Sequence, residues 1–152
     1  MLIWRIAQSK WALDKLCAGA RNEGGRWNPA GMAAMYAGTN VEICALEMFA
    51  HIAGVDHPPL KLVAIDIPDN PKLTYTPAIM DLPAGWADLP VSAASQQFGG
   101  RWLGDSGQLV MFVPSVLVPE AMNAVINPTH PDYQHVSLKI IREFTFDSRM
   151  FK

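Results

Sequence analysis

The chain has 152 residues, 50% of them apolar and 17% charged, with 12 Lys and Arg against 14 Asp and Glu. That length suits one domain, taken here as 1–152, and the apolar share is enough to bury a core, which excludes wholesale disorder. A net charge of -2, with no run of five or six like charges, gives no basic field for phosphate backbones and excludes a general nucleic-acid binder.

In chain order, Leu2–Ala7 reads as a first strand, Trp11–Ala18 as a short helix, and Gly19–Gly31 as a loop rich in Gly, Asn and Pro. Tyr36 ends a strand that leads into the clearest helix. That helix starts at Thr39, which has capping-box spacing to Glu42. Val41, Cys44, Ala45, Met48 and Ile52 then follow helical spacing, with Gly54 as a stop. Leu60–Ile67 alternates as a strand, Pro68–Pro90 is a proline-broken excursion, and Ser92–Leu103 is a second helix weakened by Gly99 and Gly100. Gln108–Val113 is an apolar, β-branched strand, and Val136–Phe146 alternates as one or two more. Strands at both ends with helices between them give a mixed α+β domain.

Apolar runs such as Leu109–Pro114 fall far short of the roughly 20 residues a membrane-spanning helix needs. The opening Met1-Leu2-Ile3-Trp4-Arg5 lacks the charged-then-apolar order of a signal peptide. Cys17 and Cys44 are too few and too far apart for a disulfide framework or a zinc knuckle, so two buried, reduced thiols are expected. These features point to a cytoplasmic chain with no membrane contact. No dinucleotide fingerprint, phosphate loop, HExxH or nucleophile elbow is present. Glu47 and His51 lie one helical turn apart, which is too little for a metal site.

Chemistry can sit in three places. In Gly24-Gly25-Arg26-Trp27-Asn28-Pro29 the glycines let the backbone approach a partner closely, and the arginine can hold an anion bidentately above Trp27. The bland alternative is a structural arginine tying down carbonyls. In Ile43–Ala50, Glu47 is the only charge among eight positions; it lies either on an exposed stripe or in a cleft, because a carboxylate is costly to bury unpaired. In Val113–Pro119, Ser115 is either a ligand-facing hydroxyl or one satisfied by nearby backbone. Tyr36 is either a core edge or a stacking surface for a planar ring.

Together these pieces resemble the RES domain family of bacterial toxins. The matching stretches are Trp4-Arg5-Ile6, Gly25–Gly31, Met35-Tyr36-Ala37, Ala45-Leu46-Glu47 with His51, Leu82–Trp86, Val113-Pro114-Ser115 and Asn127–Tyr133. They occur in order from about Trp4 to Asp147, and the family's Arg, Glu and Ser fall on Arg26, Glu47 and Ser115. The resemblance implies a fold similar to the diphtheria-toxin kind of ADP-ribosyltransferase, with mainly antiparallel sheets and short helices. It implies NAD as a substrate, with no resident cofactor and no metal, and an Xre-type helix-turn-helix antitoxin as partner. Within it Glu47 would stabilise the ribose as the nicotinamide bond breaks. Arg26, with Arg5 second, would hold the diphosphate; Tyr36 would stack on nicotinamide; Ser115 would bind its amide or position Glu47. Hydrolysis of NAD, transfer of ADP-ribose to a protein, and a catalytically dead binding module are the competing outcomes.

Overall fold

The computed structural model describes residues 1–52, 54 and 56–152. Seven strands form one sheet: β1 (Leu2–Gln8), β2 (Met35–Gly38), β3 (Leu60–Asp66), β4 (Thr74–Tyr75), β5 (Val110–Pro114), β6 (Met122–Ile126) and β7 (Ser137–Phe144). Their order is β4-β5-β6-β2-β1-β3-β7, and every pairing is antiparallel except the short β4–β5. The α-helices among the described residues are α1 (Ala18–Glu23), α2 (Val41–His51) and α3 (Ala93–Asp105). This is the mixed, mainly antiparallel single domain that the resemblance implies.

Strand alternation sorts the apolar side chains to the two faces. One face carries Ile3, Met35, Val63, Ile65, Val110, Ala124 and Ile126, closed by Ala12, Cys17, Tyr133 and Val136 from the connections. The opposite face holds two separate clusters. Beneath α2 lie Ile6, Cys44, Leu60, Leu62 and Phe144. Near α3 lie Trp27, Leu82, Trp102, Leu103, Met111, Val113 and Val125. Strand β6 contributes Val125 to the second of these clusters, and β2 follows it in the sheet before β1, which contributes Ile6 to the first.

Several local expectations are corrected. Trp11–Ala18 is not a helix: a 3-10 turn spans Ser9–Trp11, and α1 begins only at Ala18 and runs to Glu23, into the expected loop. Helix α2 is capped by Asn40, whose side chain accepts the Ile43 amide at 2.8 Å, and not by Thr39. The Thr39 hydroxyl is already committed, donating to the Met122 carbonyl at 3.1 Å. The helix stops at His51, short of Gly54. Strand β6 was not expected at all. Its Ala124, Val125 and Ile126 are all buried, so a central strand shows no alternation to read. Val136–Phe146 resolves into one strand, bulged between Leu62 and Val63 of its partner.

Helix α3 explains its own glycine. A Cβ on Gly99 would stand 1.9 Å from the Trp27 carbonyl oxygen, so only glycine lets that loop lie on the helix. The residue that weakens the helix as a sequence therefore fixes where Arg26 and Trp27 sit.

Candidate active site

On α2, Ile43 and Cys44 are buried, and Glu47 follows them at four and three residues, on the same side of the helix. Its half-buried carboxylate reaches the sheet. Glu47 Oε1 accepts a hydrogen bond from Ser115 Oγ at 2.7 Å and one from Asn123 Nδ2 at 2.6 Å. Among the described residues no cation pairs with it. Ser115 is fully buried just beyond β5, and its oxygen accepts the Leu117 and Val118 amides at 3.1 and 3.2 Å. The hydroxyl is therefore satisfied by nearby backbone and also bound to Glu47.

Tyr36 lies on the same face of the sheet as Asn123. It pairs with Val125, while Gly38, two residues on, pairs with Asn123. The Tyr36 hydroxyl donates to Asn28 Oδ1 at 2.6 Å and accepts the Trp27 amide at 2.9 Å. Burial raises its pKa, against the pull of the Trp27 amide and the Arg26 charge. A phenol so committed has no proton to trade, which leaves its ring as the part free to meet a ligand. A Cβ on Gly25 would lie 2.6 Å from that hydroxyl, so the close approach permitted by the glycine is to Tyr36.

Arg26 does tie down carbonyls. Its Nη1 donates to the Trp86 oxygen at 2.7 Å and the Asp88 oxygen at 3.0 Å. No hydrogen bond among the described residues uses its Nε or Nη2, so part of the fork stays available. Trp27 does not lie beneath the guanidinium. It is buried, stacked on Trp86 with centroids 6.3 Å apart and meeting Phe98 edge-on at 5.9 Å.

Strands β1 and β2 share one registered pair, Trp4 with Gly38. Beyond it they part, and a cavity of about 270 Å³ is lined by Arg5, Gln8, Cys17 and Tyr36 together with Met48 and His51 of α2. Arg5 Nη1 is buried there without a hydrogen-bond partner. Burial lowers the guanidinium's pKa, offset in part by Cys17, Asp14 and Tyr133. An arginine keeps its charge regardless, so this is an unmet demand for an anion or an acceptor.

The structure thus joins Glu47 to Ser115, and Arg26 to Tyr36 through one loop, and puts Arg5 and Tyr36 on one cavity. Sequence reasoning missed Asn123. The available signal was the one that marks Glu47: a lone polar side chain in an apolar run, Met122–Ile126.

A model described as the RES domain matches residues 2–147. The chain is 36% identical to a Sphingobium protein named Prs ADP-ribosylating toxin, covering 98% of this chain and 96% of that one. It is 34% identical to a Pseudomonas putida protein named Toxin Res, covering 99% and 100%. A solved structure, the M. tuberculosis MbcT–MbcA toxin–antitoxin complex, has a similar fold, with a TM-score of 0.68 at 19% identity over 99% of this chain and 86% of that one. With a family model spanning nearly every residue, and relatives above 30% identity across their full lengths, the chain belongs to the RES domain family.

Proposed function

We propose that the protein is the toxin of a toxin–antitoxin pair and that it cleaves the nicotinamide–ribose bond of NAD. The observation that carries this reading is the Glu47 carboxylate, half-buried, held by two neutral donors and, among the described residues, paired with no cation. A negative charge set up this way is suited to a positive charge that develops only during reaction.

In this reading Arg26 and Arg5 hold the diphosphate, and the Tyr36 ring stacks on nicotinamide. The C1′–N bond breaks with its electron pair passing to the ring nitrogen, so the pyridinium departs as neutral nicotinamide. C1′ acquires oxocarbenium character, and Glu47 stabilises it by accepting a 2′-hydroxyl hydrogen bond that strengthens as the charge grows. Water adds to C1′ through oxygen and releases a proton to solvent. NAD is consumed as substrate, with no resident cofactor and no metal in the step.

The name of the Sphingobium relative favours a second reading, in which a protein side chain replaces water and receives ADP-ribose. Incubating the chain with NAD, alone and with cell lysate, separates the two. Nicotinamide and ADP-ribose from NAD alone are expected. Labelled lysate protein with NAD otherwise intact would favour transfer, and intact NAD in both samples would remove both readings.

The partner proposed is an Xre-type helix-turn-helix antitoxin; that the solved neighbour lies in a toxin–antitoxin complex supports a protein inhibitor. The proposed place of action is the cytoplasm. No described helix is long and apolar enough to cross a membrane, and Cys17 and Cys44 are free thiols.

A further inference from the structure

Both hydrogen bonds to Glu47 fall on one oxygen. Oε1 takes Ser115 Oγ and Asn123 Nδ2, and no hydrogen bond among the described residues reaches Oε2. Neither donor has an alternative direction. The Ser115 hydroxyl has one proton, and its acceptor sites are occupied by the amides of Leu117 and Val118. An ionised carboxylate only accepts, so Asn123 must present its amide nitrogen and not its oxygen.

The two donors also come from neighbouring strands of one rigid hairpin. Val113 pairs with Asn123, and the Ser115 amide continues that ladder to the Ala121 carbonyl at 2.8 Å. The last torsion of a glutamate is broad and roughly two-fold when free. Two fixed donors on one oxygen remove that freedom.

From this geometry we propose that Asn123 is a positioning residue, which with Ser115 clamps Oε1 of Glu47 so that Oε2 is the oxygen offered to the ribose 2′-hydroxyl. The proposal rests on the NAD reading above and extends it to a residue that touches no substrate. Orientation matters because misplacing a reacting group by about 1 Å can cost on the order of a hundredfold in rate.

Asn123→Ala should lower kcat roughly ten- to hundredfold, the scale of losing one hydrogen bond to a charged group. KM and melting temperature should stay near the parent's, because the backbone pairing of β6 is untouched. Asn123→Asp should be worse, since a second carboxylate would push Glu47 away from its seat. In a Glu47→Gln background, Asn123→Ala should cost nothing further. A merely structural asparagine predicts the opposite pattern: a lowered melting temperature and the same loss in both backgrounds. Unchanged kcat in a folded Asn123→Ala variant would also overturn the clamp.

A readout independent of turnover is the side-chain amide resonance of Asn123 by NMR, compared between parent and Glu47→Gln. Replacing a charged acceptor by a neutral one should shift it, and an unmoved resonance would remove the clamp. Failure of the parent to consume NAD would instead remove the NAD reading, so the two failures are distinguishable.

Discussion

The carboxylate end and the Arg5 end of the site are built on opposite plans. Around Glu47 the carboxylate is held in place: Ser115 Oγ and Asn123 Nδ2 both donate to Oε1, and the Ser115 oxygen itself accepts two amides. Around Arg5, which lines an open cavity, one guanidinium nitrogen is buried with no partner among the described residues. A carboxylate held by two donors on one oxygen keeps its geometry whether or not ligand is present, as a group acting in the transition state must. A buried guanidinium nitrogen without an acceptor instead carries a penalty that a ligand can relieve, and its relief appears as binding. The difference separates rate from affinity along one short path of residues.

The sharpest way to break that separation is Glu47→Gln. Glutamine keeps an oxygen for both donors and removes the charge. Turnover should fall by roughly a hundredfold or more, the scale of one electrostatic contact worth about 3 kcal/mol. NAD affinity and melting temperature should persist. A folded variant that cleaves NAD at nearly the parent rate would remove Glu47 from the mechanism.

The two arginines give the next effect. Arg5→Met should raise KM about tenfold or more, the loss of a charge-assisted contact, while stability holds or improves because a buried nitrogen without an acceptor is gone. Arg26→Ala should raise KM as well, but it also frees the Trp86 and Asp88 carbonyls and so should lower the melting temperature. Arg26→Lys should rescue only part of either loss, since a point charge cannot reproduce a fork. Equal stability effects at Arg5 and Arg26 would erase the contrast drawn between them.

The smallest effect concerns pH. Burial pushes the Cys44 thiol up to about 12, and its Sγ donates to the Trp4 carbonyl at 3.1 Å. The folded pKa is above the unfolded one, so this contribution is complete below the ordinary thiol value and is lost as pH rises through the folded pKa. Cys44 should resist a thiol reagent at neutral pH until the chain unfolds. Rapid labelling of the native protein, read by mass spectrometry, would contradict the burial.

Much of this was legible in the residues, and what was not has definite causes. Leu2–Ala7 and Leu60–Ile67 show as strands because their apolar residues recur along each run, and Ser92–Leu103 shows as a helix that the structure places at Ala93–Asp105 with Ser92 as its cap. The start of α2 was misplaced by one residue because Thr39 and Asn40 both suit a cap; the choice falls to Asn40 once the Thr39 hydroxyl takes Met122, a partner from β6. Glu47 stood out as a lone charge, yet its orientation depends on Ser115 and Asn123, 68 and 76 residues away. No local pattern encodes such a pairing, and so the role of Ser115 stayed open and Asn123 went unnoticed.

The position of β6 in the chain also bears on synthesis. On the ribosome, α2 emerges long before Met122–Ile126, and β6 must pair with β2 and β5 before Asn123 can meet Glu47. A nascent chain short of that strand carries the carboxylate without the means to aim it. Closing so long a loop is slow compared with local helix formation. The cell making this protein is therefore exposed to a finished site only after Met122–Ile126 has been made, which gives a partner time to be present when that strand arrives.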